Sequence, residues 1–111
     1  MQYKIFYLFG HSPRLSNRLE KLSTVILNQR QYGHSVGVAL LHDGVLGAAP
    51  KGHVPNAVKD ILDMGCGVYA LKSDLQARGF SDVALEDGIA IIDYSQLIEM
   101  IVQSGSLCSW M

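Results

Sequence analysis

A chain of 111 residues with 49% hydrophobic and 17% charged side chains has apolar material for one packed core and too little length for two. Its formal charge of −1, from nine basic and ten acidic residues, supplies no basic face, which argues against direct nucleic-acid binding. No apolar stretch approaches the ~20 residues of a membrane helix, and residues 1–9 lack the length and cleavage site of a signal peptide. A single cytoplasmic domain over residues 1–111 is expected, with some apolar surface covered by a partner rather than by water.

Residues 3–9 (Y-K-I-F-Y-L-F) form an apolar, β-branched and aromatic run that reads as a strand buried on both faces. Asn17 and Glu20 then have capping-box spacing, and Leu15, Leu19, Leu22 and Ile26 lay one apolar stripe along a helix ended by Gly33. Residues 36–41 make a second strand closed by His42-Asp43-Gly44. A single helical turn is expected over residues 45–49, then a loop over 50–53. Pro55 opens a helix that carries Val58, Ile61 and Leu62 and stops at Gly65.

Residues 68–71 are a short third strand. Ser73 is placed as N-cap of a brief helix reaching Arg78, with Gly79 after it. Asp87-Gly88 turns the chain into a fourth strand over 89–92. Ser95 is placed as cap of a last helix, with Leu97, Ile98, Ile101 and Val102 facing inward and Gly105 closing it. Residues 106–111 read as an exposed tail. Four strand–helix units predict an α/β fold, a three-layer sandwich with a mostly parallel sheet of four to five strands and helices on both faces.

Ligands of open α/β sheets bind beyond the carboxyl ends of the strands. The loops expected there gather His11, Ser12, Arg14, His42, Asp43, Lys72, Asp74 and Tyr94 on one rim. Most of these have simpler duties. Asp43 before Gly44 suits a turn, Asp74 complements a helix dipole, and Ser73 and Ser95 serve as caps. No histidine pair has metal-ligand spacing, so neither metal nor cofactor is expected.

Cys66 and Cys108 form no CxxC pair and read as reduced thiols. Cys66, between Gly65 and Gly67, falls at the amino edge of the sheet and reads as a small buried hydrophobe. Cys108, on the tail, is open to a partner, although nothing beside it in sequence would lower its pKa. Residues 10–17 also resemble the phosphate loop of flavodoxin-like FMN reductases, with His11 as an extra residue in the spacing.

Residues 68–79, V-Y-A-L-K-S-D-L-Q-A-R-G, resemble the VYAL-x-x-DL-x-ARG signature of the DsrH/TusB family. In the same order, His11-Ser12-Pro13 is similar to that family's S-P step, residues 41–45 to its L-Q-D-G-V step, residues 92–94 to its I-D-Y step, and Trp110 to its near-terminal Trp. The resemblance implies a DsrE-like, flavodoxin-like fold. It also implies a sulfur-relay assembly with DsrE/TusD-like and DsrF/TusC-like paralogues, whose sulfur goes to tRNA wobble-uridine 2-thiolation or to sulfur oxidation. It places the relay cysteine of the DsrE/TusD-type subunit where this chain has Leu71 and Lys72. A structural subunit without catalytic activity of its own is therefore expected, homo- or hetero-oligomeric. The alternatives are a persulfide carrier working through Cys108 or Cys66, and a small ligand- or phosphate-binding module.

Overall fold

The computed structural model describes residues 2–13, 16–50, 54–81 and 83–111. Among them the order is β1 (Ile5–Phe9), α1 (Arg18–Gln31), β2 (Val36–Leu40), a 3-10 segment (His42–Gly47), α2 (Asn56–Asp63), β3 (Gly67–Leu71), α3 (Lys72–Ala77), β4 (Ile89–Ile92), α4 (Tyr94–Gln103) and β5 (Ser106–Trp110). The expected positions of Arg14, Leu15 and residues 51–53, His53 included, lie outside the described residues.

The sheet has five strands in the order β4-β3-β2-β1-β5, all parallel. The α/β class and the parallel sheet are as expected. In strand order, however, it departs from the flavodoxin sequence 2-1-3-4-5. From β1 to β4 each strand is added on the same side, so the right-handed crossovers that contain α1, α2 and α3 fall on one face. The last step returns past β1 to β5, which puts α4 on the other face.

Period-2 alternation separates the two interiors. Tyr7 and Phe9 of β1, Val36, Val38 and Leu40 of β2, and Val68 and Ala70 of β3 pack with Leu19, Leu22 and Ile26 of α1, Ala57, Val58 and Ile61 of α2, and Leu75 of α3. Phe6, Ala39, Leu71 and Ile92 point the other way and pack with Tyr3 and with Leu97 of α4. Room for Tyr3 comes from Gly67, where a Cβ would lie 1.9 Å from the Tyr3 hydroxyl.

Helix ends explain several departures from expectation. Asn17 caps α1 by position only: at φ −96°, ψ 20° it is not extended and makes no side-chain cap bond, and the Ser16 hydroxyl accepts the Arg18 N–H instead (3.3 Å). Ser73 is inside α3, because β3 runs straight into the helix through an extended Leu71. Ser95 is inside α4; Asp93 is the cap, in a reciprocal box with Gln96 at 2.8 Å in each direction. The C-terminal readings hold at Gly33 and Gly79, both at positive φ. The amide after each bonds back to Gln29 and Leu75 respectively, closing Schellman motifs.

Three further expectations change. The helical turn after β2 begins earlier, at His42, and is 3-10. Ile98 and Val102 of α4 do not face inward: they are 46% and 77% exposed, because only Leu97 is buried under this helix, with Met100 and Ile101 partly so. The tail is not free. It forms β5, paired with β1 from Ile5↔Ser106 to Phe9↔Trp110.

Candidate functional site

The strand order reverses where β1 lies between β2 and β5, so the carboxyl ends of β1 and β5 meet at the kind of junction where open α/β sheets bind ligands. An open crevice of about 490 Å³ lies there, lined by His11, Arg18, Ser109, Trp110 and Met111. The His11 ring stands edge-on to Phe9, with centroids 5.7 Å apart. Gly10 keeps the floor low: a Cβ on it would lie 3.0 Å from the Met111 sulfur and 3.3 Å from His42 Cδ2. An imidazole and a guanidinium beside two apolar side chains give this end of the rim a cationic, partly greasy character.

The centre of the rim is committed internally. His42 has φ +48°, a left-handed conformation that L-residues adopt at a cost. Its N–H donates to the Asp74 carboxylate at 2.7 Å. Arg78 in turn donates to Asp43 through Nε at 3.0 Å and approaches Asp74 at 3.8 Å. The network ties the 3-10 segment to α3 and sets two carboxylates against one guanidinium. Each of its partly exposed ion pairs contributes at most about 1 kcal/mol.

At the far end Lys72 and Tyr94 are exposed on the first turns of α3 and α4. The rim residues foreseen from sequence therefore separate into three groups: His11, with the half-buried Ser12 nearby; His42, Asp43 and Asp74 in the network; and Lys72 and Tyr94 apart from both. Sequence reasoning did not place Arg18 or Met111 at the crevice, because only the β1–β5 pairing brings them there. Arg78 had a signal, its i,i+4 spacing from Asp74.

Neither thiol is on this rim's floor. Cys66 is buried just before β3, at the opposite edge; burial pushes its thiol pKa up, and the Arg30 guanidinium offsets only part of that. Arg30 itself donates to the Met64 and His34 carbonyls at 3.0 Å. Above Cys66 the Tyr3 hydroxyl is hydrogen-bonded to that of Tyr69, and burial together with that bond drives the Tyr3 pKa upward. Cys108 is half-buried in the middle of β5. Among the described residues no group of three His, Cys, Asp or Glu side chains converges to hold a metal ion.

These features define an open, five-stranded parallel α/β domain whose strand-end rim carries cations and imidazoles but no thiol on its β3 exit. A family model described as DsrH like protein matches residues 11–106. The chain belongs to the DsrH family. It is 30% identical to Protein TusB of Photorhabdus laumondii and 29% identical to Protein TusB of Pectobacterium carotovorum, each over 73 residues covering 66% of this chain and 73% of the relative. The fold is that of the ychN protein from E. coli, with a TM-score of 0.83 at 19% identity over 98% of this chain and 99% of that one. No helix among the described residues is long and apolar enough to cross a membrane.

Proposed function

We propose that this chain is the DsrH/TusB-type subunit of a cytoplasmic sulfur-relay assembly and completes that assembly without carrying sulfur itself. The observation that carries this reading is the exit of β3. Where the resemblance places the relay cysteine of a DsrE/TusD-type subunit, the buried Leu71 passes directly to the exposed Lys72 at the start of α3. Persulfide transfer requires a thiolate that attacks the partner's outer sulfur and releases the partner's own thiolate. Leu71 and Lys72 cannot do this, and burial raises the Cys66 thiol pKa, which disfavours its thiolate.

In this reading the partners are DsrE/TusD-like and DsrF/TusC-like paralogues, and the sulfur acceptor is theirs to select, tRNA uridine or an oxidation pathway. The test is to incubate the chain with a cysteine desulfurase and free cysteine and to measure its intact mass. No gain of a sulfur atom is expected on this chain, whereas a DsrE/TusD-like partner in the same tube should gain one. A sulfur adduct that disappears in Cys108→Ser and persists in Cys66→Ser would make the chain a carrier through its β5 thiol and overturn the proposal.

A further inference from the structure

Two cavities border α1, and their walls differ in charge. The larger, about 790 Å³, runs between α1 and α2; its described walls carry Glu20 and Asp60 and no basic side chain. The other is the crevice of about 490 Å³ at the carboxyl ends of β1 and β5, whose described walls carry His11 and Arg18 and no acidic side chain. An anion approaching this side of the domain is repelled by the first and drawn to the second.

Arg18 is open to a ligand. Arg78 is engaged by Asp43 and Asp74, and Arg30 donates to the Met64 and His34 carbonyls. Both ion pairs among the described residues belong to Arg78, so no carboxylate engages Arg18 or His11, that of a chain end at Met111 included. The exposed Arg18 opens the 14-residue helix α1, and the positive end of the helix dipole adds to its field there. Its guanidinium is a planar fork of N–H donors that matches two oxygens of a phosphate, and the His11 ring supplies a further donor. The remaining wall is apolar. Trp110 is half-buried against the core beneath it, and an indole face is a platform on which a flat ring stacks. The Met111 thioether beside it adapts to an irregular ligand. The crevice volume falls within the range of small-molecule sites, about 300–1,000 Å³. An inorganic anion alone would leave its apolar wall uncovered.

We propose that the β1–β5 crevice binds an aromatic phosphate monoester of the mononucleotide class, with its phosphate on Arg18 and His11 and its ring over Trp110 and Met111. A nucleic-acid strand is a poorer match: Arg18 and His11 serve one phosphate, and a formal charge of −1 supplies no basic track for the next. The crevice is separate from the β3 exit, so the proposal does not depend on whether the chain serves in sulfur relay.

Trp110 is the single tryptophan of the chain, so its emission reports on this crevice. Excited at the red edge of the indole band, where adenine is transparent, it should be quenched saturably by adenosine 5′-monophosphate, with a Kd below about 1 mM. Adenosine lacks the anion and inorganic phosphate lacks the ring, so each should compete at least about tenfold more weakly. Arg18→Gln, at an exposed site, should keep the wild-type circular dichroism and thermal transition and weaken monophosphate binding about tenfold. His11→Ala should weaken it about threefold. If either variant does not fold, the other decides. Lys59→Gln makes the same change in net charge on α2, beside Glu86 and Asp87, and should bind as the wild type does. A wild-type titration without quenching, or adenosine or inorganic phosphate binding as tightly as the monophosphate, would overturn the proposal. So would undiminished binding in the folded Arg18 and His11 variants, or an equal loss in Lys59→Gln.

Discussion

The two faces of the sheet are built to different depths. On one, α1, α2, α3 and the 3-10 segment cover a continuous cluster that extends from Leu19 to Phe80. On the other, α4 alone covers a smaller cluster around Phe6, Leu71 and Leu97, and leaves Ile98, Val102 and Leu107 in solvent. Topology causes this: three crossovers fall on one side and one on the other. The covered face should carry most of the folding energy, and the half-covered face should hold surface that folding alone does not explain.

The largest expected effects test that division. Phe9 is fully buried under the thick layer, so Phe9→Ala should cost about 3–5 kcal/mol in urea unfolding. Leu97→Ala, beneath α4, should cost about 2 kcal/mol, at the low end for a buried leucine, because its neighbourhood can collapse toward solvent. Equal losses at the two sites would contradict the contrast between the faces.

Gly67 tests how the thinner face is packed. A methyl group there would meet the Tyr3 hydroxyl and ring, so Gly67→Ala should cost about 1–3 kcal/mol through overpacking. Tyr3→Leu should remove much of that additional cost, making the double variant more stable than the sum of the single ones predicts. Additive losses would mean that the glycine serves the strand rather than the tyrosine.

The fold was legible in the sequence to different degrees. Strands β1 to β4 could be read because short apolar runs between turn residues suit a strand in a buried sheet, and Gly33 and Gly79 marked helix ends because positive φ is cheap mainly for glycine. Helix starts were harder, since Asn17, Ser73 and Ser95 all had the right chemistry and none of their side chains makes the expected cap. Asp93 and Gln96 carried the correct spacing but were masked by Ser95 two residues later. β5 was missed because S-L-C-S-W has little β-branching, and its pairing with β1 connects positions about a hundred residues apart. The crevice of His11, Arg18 and Met111 was missed with it, since it exists only once β5 is in the sheet.

The two thiols sharpen the comparison at smaller scale. Cys66 is sealed beneath the thick layer and Cys108 is half-open on the edge, so a chromogenic disulfide reagent should modify Cys108 in the native protein and Cys66 only on unfolding. Burial raises the Cys66, Tyr3 and Tyr7 pKa values in the folded state. Above their ordinary values the unfolded chain therefore holds fewer protons than the folded one, and stability declines as pH rises. The contribution is complete below the ordinary thiol value of 9.0 and is lost as pH climbs from there toward the raised folded values. Urea titrations between neutral and strongly alkaline pH should show that decline. Cys66→Ala should lessen it without abolishing it, because the tyrosines remain.

The smallest effect is expected at Val102, on the exposed side of α4. Spacing alone puts Ile98 and Val102 beside Leu97 and Ile101 on one apolar stripe, yet Val102 is 77% exposed. Val102→Ala should alter the stability of the dilute protein by no more than about 0.5 kcal/mol, since little apolar area leaves or enters water at that site and alanine favours the helix slightly. A loss of about 1 kcal/mol or more in dilute solution would mean that α4 packs more tightly on the sheet than its exposure indicates. The thin face would then owe its apolar surface to the core. If the effect is small, folding does not require valine at this position.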